Sequence, residues 1–290
     1  MEKKSRSSFS ERHPLAFGFF LIFAAVVIFM MAMAVFNFLF LGENRGIGKK
    51  HNAGLVNVSG LITDSRDLVQ WIETLRQSES IRGVLIRINS PGGVVAPSQE
   101  IYAAVERLAR EKPVVVSMGA MAASGGYYVV SPAHKIFASP GSLTASIGVK
   151  VNLTNIQKLL EKIGIQDETV YSGKFKDAGN AARPLTDEEK KYFQSITDDL
   201  HDQFIRDVAR GREMEPDQVR RLADGRAMTG RQALKAGLVD ELGGMHKALE
   251  ELKELAEISE VVELAEGPEE EVSLLQRIVG EFSLENHATG

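Results

Sequence analysis

The sequence contains no cysteine among its 290 residues, which excludes thiol catalysis, disulfide bonds and metal sites with cysteine ligands. It also lacks a long basic stripe, and its formal net charge is −5, so nucleic acid is not an expected partner. The six histidines show no pair at zinc-ligand spacing, and we expect neither a metal site nor a cofactor. What is present, 44% apolar and 25% charged residues, is the composition of a globular protein.

One long uncharged run lies near the N-terminus, the 27 residues from Leu15 to Leu41. About 20 apolar residues span a bilayer, whereas the apolar core of a signal peptide has about 7–15. The run therefore predicts an uncleaved transmembrane signal anchor, although Ala32-Met33-Ala34 resembles a cleavage site. Four Lys or Arg residues precede the run and three follow it closely. This small difference favours an N-terminus in the cytoplasm and the remaining chain outside.

Composition divides the chain into five parts. They are a short N-terminal tail, the anchor, a polar linker, one large domain and an acidic, partly flexible C-terminal tail, at residues 1–14, 15–41, 42–54, 55–258 and 259–290. In the large domain, apolar strands alternate with amphipathic helices; the strands are predicted at 55–61, 83–89 and 114–116, and the helices at 65–77 and 96–110. This alternation predicts an α/β fold with parallel strands and right-handed crossovers.

The second half of the large domain is less regular. Its apolar stretches predict short strands at 135–139, 147–153 and 168–171 and a helix at 156–163. Thr186 and Glu189 form a capping-box pattern that predicts the start of a long helix. Further helices are expected after Pro216 and from His246 onward.

Two glycine-rich segments follow predicted strands. Ser124, with Gly125 and Gly126 behind it, follows the strand at 114–116, in the setting that a nucleophilic serine at a strand-to-helix turn requires. Gly92-Gly93 follows the strand at 83–89, and ligand sites in such folds lie at the carboxyl ends of strands. We therefore predict that the N–H groups of Gly93 and Gly125 form an oxyanion hole. Taken alone, each segment also fits an ordinary turn, with Ser124 as a helix cap.

A serine nucleophile needs a base, and no histidine lies in a suitable stretch. His134 precedes a strand in a polar turn, and His201, flanked by two aspartates, is typical of a solvated helix face. A lysine made neutral by burial is the alternative. Lys174 and Lys176 flank Phe175 after the predicted strand at 168–171, and the residues alone do not separate the two lysines. Ser146 or Ser172 could orient the amine.

The chain resembles the short form of the signal peptide peptidase A family, membrane-anchored serine peptidases of the Clp-protease/crotonase superfamily. The resemblance spans roughly residues 53 to 255 and consists of an ordered series after the anchor: IRINSPGG, SMGAMAASGGYY, GSLTASIGV, YSGKFKDAG and DGRAMTGRQALKAGLVDELG. It implies a ββα spiral core with C-terminal helices. It also implies a Ser/Lys dyad in which Ser124 is the nucleophile and Lys176, rather than Lys174, is the base. Ser146 would hydrogen-bond the lysine, and Gly92-Gly93 would supply the oxyanion motif.

The resemblance also implies substrates, assembly and location. Members degrade signal peptides left in the membrane, and such apolar, extended peptides could bind by adding a strand to a sheet edge. The short form is expected to form a homo-oligomer whose neighbouring protomers complete each site, in the cytoplasmic (inner) membrane with its catalytic domain on the outer side. Two alternatives are a crotonase-like acyl-CoA enzyme and a non-catalytic, membrane-bound oligomeric scaffold.

Overall fold

The computed structural model describes residues 14–36 and 51–267, which fall into separate units within residues 1–49 and 50–290. In the first unit, helix α1 runs from Pro14 to Phe36. Its described side chains, Phe19 and those of residues 23–33, are mostly exposed. Over the described residues, no helix is both long enough and apolar enough to cross a membrane. The predicted N-terminal tail up to residue 13, most of the linker and most of the acidic C-terminal tail lie outside the described residues.

The second unit is built on an eight-stranded sheet with the order β6-β5-β3-β2-β1-β8, to which β4 adds on β3 and β7 on β4. The strands are β1 (Ala53–Ile62), β2 (Gly83–Gly93), β3 (Val114–Ala123), β4 (Lys135–Ala138), β5 (Leu143–Ala145), β6 (Ala227–Thr229), β7 (Glu241–Leu242) and β8 (Leu264–Gly267). Every strand pair is parallel except β5 with β6. The predicted α/β class and the three central parallel strands are confirmed.

Helices cover both faces of this sheet. They are α2 (Arg66–Gln77), α3 (Val95–Ala109), α4 (Gly125–Val130), α5 (Gln157–Lys162), α6 (Asp187–Gly211), α7 (Pro216–Leu222), α8 (Gly230–Lys235) and α9 (Met245–Leu255). Helix α9 buries Ala248 and Leu252 against Leu55, Leu85 and Val115 of the central strands. Helices α3 and α4 contact each other and β2, and bury both tyrosines of α4.

Two of the predicted strands are wrong. Residues 147–156 and 165–171 form no strand, and the short strand in this region is β5, four residues earlier than predicted. The physical reason is exposure, since nearly all of residues 151–176 face solvent and Val170 is fully exposed. Alternating apolar residues form a strand where a neighbouring strand and a core face accept them. Ile147 is buried, but residues 151–156 and 165–171 are exposed and pair with no strand.

The register of the sheet brings three strand ends together. Ser90 of β2 pairs with Ala122 of β3, and Ala123 of β3 pairs with Ala145 of β5. Because these strands are parallel, their carboxyl ends lie at one edge of the sheet. The glycine pair ends β2, and Ser124 and Ser146 directly follow β3 and β5.

Candidate active site

Ser124 occupies a strained turn between β3 and α4. Its backbone angles are φ 53° and ψ −124°, which a residue with a side chain adopts at a cost of about 1–3 kcal/mol. Two hydrogen bonds hold the turn: the Ser124 N–H donates to the carbonyl of Ala145 at 2.8 Å, and the Ser124 carbonyl accepts from the N–H of Tyr128 at 2.9 Å. The half-buried side chain makes no capping hydrogen bond to α4. The cap interpretation of this serine therefore fails.

The two glycine-rich segments touch each other. A Cβ atom on Gly92, whose φ is +96°, would lie 2.6 Å from the backbone N of Gly125. A Cβ atom on Gly125 would lie 3.1 Å from the backbone N of Gly93 and 2.5 Å from the hydroxyl of Ser98. The backbone contact and the positive φ require glycine at position 92, and a side chain at position 125 would have to displace the Ser98 hydroxyl. The structure thus brings the N–H groups of Gly93 and Gly125 beside the Ser124 turn.

Ser146 belongs to the same edge. It follows Ala145, and both residues have positive φ values, 60° for Ala145 and 52° for Ser146. The Ser146 N–H donates to the carbonyl of Arg226 at 3.0 Å, and its hydroxyl donates to the carbonyl of Gly225 at 3.2 Å. Its hydroxyl is therefore held at the loop before β6, and it shares a pocket with Ser124.

That pocket has a volume of about 520 Å³. Its lining combines residues at or near the strand ends with polar side chains of α6, and it includes Pro91, Ser124, Ser146, Lys150, Gln194, Thr197, Asp198, His201 and Asp224. In the described part of the chain, Lys176 and Lys174 are not among the lining residues. A separate cavity of about 430 Å³, beside α5, contains neither Ser124 nor the glycine pair.

The prediction that His201 lies on a solvated helix face is wrong. It is half-buried rather than solvated, it lines the Ser124 pocket, and its Nε2 atom is buried without a hydrogen-bond partner in the described structure. The flanking aspartates misled the sequence interpretation, because Asp202 points to Arg206 and Arg220 instead. A histidine three residues before buried Phe204 on the same helix was the signal for an inward face.

The two candidate lysines lie on an exposed turn after Gly173. The Lys176 N–H donates to the Gly173 carbonyl at 3.1 Å, and its side chain is exposed. Lys174 forms an ion pair with Glu188 and lies 5.7 Å from the centre of the Phe175 ring. Within one chain, the structure does not bring either lysine into the pocket of Ser124.

This lysine turn is tied to the start of α6 by Arg183. The Arg183 guanidinium contacts Asp177 at 2.9 Å and Glu189 at 2.6 Å. Glu189 also accepts from the N–H of Thr186, and the predicted capping box of these two residues is confirmed. The hydrogen bond from Arg183, followed by that from Thr186, lowers the pKa of Glu189 to about 2. Arg183 therefore holds the lysine turn against the N-terminus of α6, the helix that contributes to the pocket wall.

In the described residues, no group of three or more His, Asp or Glu side chains is placed to hold a metal ion.

Comparison with known proteins identifies a family. The profile of peptidase family S49 matches residues 106–259, a range that includes Ser124, Ser146 and Lys176. The chain is 40% identical over 190 residues to "Putative protease MJ0651" of Methanocaldococcus jannaschii, covering 66% of this chain and 61% of that protein. It is 39% identical over 190 residues to "Putative protease slr0021" of Synechocystis, covering 65% and 68%.

A third relative is "Putative signal peptide peptidase SppA" of Enterococcus faecium, 34% identical over 212 residues, with 68% of this chain and 62% of that protein covered. The matches thus span about two thirds of the length of each of these relatives. The family match covers more than half of the chain and agrees with the predicted resemblance and with the prediction of a peptidase. By these similarities, the chain belongs to peptidase family S49.

Proposed function

We propose that this protein is a membrane-anchored serine endopeptidase with a Ser124/Lys176 dyad on a Clp-protease/crotonase-like core. The observation that carries the proposal is the strained Ser124 turn, whose side chain makes no capping bond, beside the N–H groups of Gly93 and Gly125. The N–H of the first helical residue, Gly125, has no partner within a helix. Two such donors beside a half-buried hydroxyl suit an oxyanion that develops during acyl transfer.

In the proposed mechanism, the neutral amine of Lys176 takes the proton of the Ser124 hydroxyl as the oxygen attacks a peptide carbonyl. The N–H groups of Gly93 and Gly125 donate to the resulting oxyanion. Lys176 then gives the proton to the leaving amine, and the C–N bond breaks to leave an acyl-enzyme on Ser124. Water, deprotonated by the same lysine, hydrolyses the ester and frees the serine. Ser146 orients the amine of the lysine.

Labelling of the full chain with a fluorophosphonate probe tests this dyad. Intact mass should show one adduct on the wild type and none on Ser124→Ala or Lys176→Ala. Lys174→Ala is the matched control, because it removes a neighbouring lysine whose partner is Glu188, and it should still be labelled. An adduct that survives Lys176→Ala but not Lys174→Ala would move the base to Lys174. A folded wild type without any adduct would contradict the proposal.

We further propose that each site is completed by a neighbouring copy of the chain. Support comes from Lys176, which is exposed and lies outside the pocket of Ser124, and from the apolar segment beside it. In this segment, residues 151–176, side chains such as Leu159, Ile163 and Val170 are 57%, 60% and 100% exposed. An exposed apolar stretch next to a catalytic loop suits contact with another protomer.

Subunit mixing tests this arrangement. If Ser124 of one protomer uses Lys176 of the next in a ring, co-assembly of Ser124→Ala and Lys176→Ala chains should restore about one quarter of wild-type turnover by random mixing. A dyad within one chain would restore nothing, since every chain lacks one partner. The control is an equal mixture of Ser124→Ala and wild-type chains. Its turnover should be about half that of the pure wild type under either arrangement.

The proposed anchor and substrates rest on the sequence and the relatives. The uncharged run from Leu15 to Leu41 exceeds the about 20 residues of a bilayer span, and one relative is named a signal peptide peptidase. We propose an inner-membrane location, with the catalytic domain outside the cytoplasm, and cleaved signal peptides and other apolar peptides as substrates. Carbonate extraction should leave the full chain in the membrane pellet and release a chain that begins at residue 43. Release of both would refute the anchor.

A further inference from the structure

The short helix that starts after Ser124 is joined to α6 by a partly buried polar contact. The hydroxyl of Tyr128, which is 2% exposed, donates to the carboxylate of Asp207. Arg210 donates to the other oxygen of this carboxylate at 2.6 Å. The ring of Tyr128 stacks on Phe204 of α6 with centroids 4.3 Å apart. Burial, followed by the bond to Asp207, raises the pKa of the Tyr128 phenol, so the hydroxyl keeps the proton that it donates.

Helix α3 reinforces the same contact. Gln99 donates to Gln203 at 2.9 Å and to the Tyr128 hydroxyl at 3.3 Å, and the hydroxyl of Tyr102 donates to the carbonyl of Asp207 at 3.0 Å. We call these side chains, together with the Tyr128–Asp207 bond, the α4–α6 joint. A hydrogen bond to a charged, partly buried group is stronger than one between neutral, exposed groups.

The α4–α6 joint connects two sides of the pocket. On one side, the N–H of Tyr128 donates to the carbonyl of Ser124 at 2.9 Å, so Tyr128 lies one helical turn from the candidate nucleophile. At its other end, Asp207 lies on α6, whose earlier turns supply Gln194, Asp198 and His201 to the wall of the same pocket. Since a helix moves as a rigid rod over such distances, a shift at Asp207 also shifts that wall.

We propose that Tyr128 is a positioning residue that, through Asp207, holds α6 at a fixed distance from Ser124 and so sets the width of the pocket in which the peptide substrate lies. This inference rests on the proposed peptidase function. An extended peptide contacts both sides of the pocket, whereas a small phosphonate needs only the serine and its oxyanion donors. Loosening the joint should therefore weaken peptide binding and spare the chemistry at Ser124.

Tyr128→Phe tests the inference on the full chain, because it removes the hydroxyl and keeps the ring stacked on Phe204. We expect KM for a fluorogenic peptide to rise about tenfold, with kcat and the fluorophosphonate labelling rate within about twofold of wild type. Gln203→Ala, at a half-buried position, removes an acceptor in the same joint and should raise KM in the same direction. Both variants are compared at equal folded fraction, measured by thermal unfolding.

Tyr127→Phe is the matched control. It removes a buried hydroxyl from the same short helix, but this hydroxyl donates to the carbonyl of Leu238 at 2.8 Å and not to α6. An unchanged KM in Tyr128→Phe, or equal changes of KM in both tyrosine variants, would overturn the inference. The proposed function would still stand in that case, provided that Ser124 is labelled. A wild type that is not labelled at Ser124 would overturn both.

Discussion

At the scale of single residues, backbone conformation decides what the site can do. Ser124 has a positive φ although it carries a side chain, and the neighbouring turn is possible because Gly92 has no Cβ. The strain at Ser124 is held by hydrogen bonds to Ala145 and Tyr128 rather than by its own side chain. The hydroxyl makes no hydrogen bond to the start of α4, as the proposed nucleophile role requires.

Gly92→Ala should damage the site at this scale. The new Cβ would lie 2.6 Å from the N of Gly125 and 2.8 Å from the carbonyl O of Ala123, at a φ of +96° that disfavours alanine. Displacing one oxyanion donor costs about 10²–10³ in rate, so we expect fluorophosphonate labelling of Ser124 to slow by about a hundredfold or more. Labelling reactions that are quenched at a series of times and analysed by intact mass give this rate.

Gly141→Ala is the control for this change, because a Cβ at Gly141 would meet nothing within 4 Å and its φ is not in the left-handed region. It should label at the wild-type rate. Equal rates for Gly92→Ala and wild type would show that the contact between the glycine pair and Ser124 is not needed for reactivity.

At the scale of elements, the start of α6 combines a capping box with an ion-pair network. The capping box of Thr186 and Glu189 was readable from the sequence, but the role of Arg183 was not. Arg183 connects Glu189 to Asp177 on the lysine turn, a link that depends on how the chain folds back. The ion pairs of Arg183 therefore fix the position of the exposed lysine turn relative to the start of α6.

Glu189→Gln should reduce the loss of unfolding free energy that acid causes in the wild type. Because the folded-state pKa of Glu189 is lowered from 4.5 to about 2, its ionised form stabilises the fold above about pH 5, and this contribution is lost as the pH falls towards 2. Glutamine can keep the capping bond but not the charge. Urea unfolding from pH 7 to 2.5 should show a free-energy gap between wild type and variant that narrows with acid.

Glu254→Gln, at an exposed position on α9, is the control. Its unfolding free energy should differ from that of the wild type by a constant amount over the pH range. A gap between wild type and Glu189→Gln that stays constant over the whole pH range would show that the charge of Glu189 does not contribute.

At the scale of the whole molecule, residues 151–176 stand out. Their sequence is apolar enough to predict strands, yet the described structure leaves them almost entirely exposed and without a strand. Exposed large apolar side chains such as Leu159, Ile163 and Val170 favour contact with another protein surface, and the proposed assembly provides one. The same contact would bring Lys176 of one copy to Ser124 of another.

Val170→Asp should therefore weaken assembly and turnover together. Burying an unpaired charge in an interface costs enough to raise the dissociation constant about tenfold or more. Analytical ultracentrifugation in detergent should show smaller species than the wild type at the same concentration. Val261→Asp is the matched control, since Val261 is 79% exposed on a different part of the domain. Equal sedimentation of all three proteins would contradict an interface at residues 151–176.

The local pattern of the sequence determined the central strands, the capping box and the positions of the glycine pair and Ser124, because each depends on neighbours within a few residues. Parallel pairing then placed the strand ends at one edge, as the α/β alternation predicted.

Only the tertiary structure decided three other points. It turned His201 towards the pocket, left residues 147–156 and 165–171 without a strand, and kept Lys176 outside the pocket of its own chain. The rotation of a helix about its axis and the cover of an apolar segment are set by contacts with distant residues. For the two absent strands these contacts have no local signature, whereas the spacing of His201 and buried Phe204 along α6 was a local sign of an inward face.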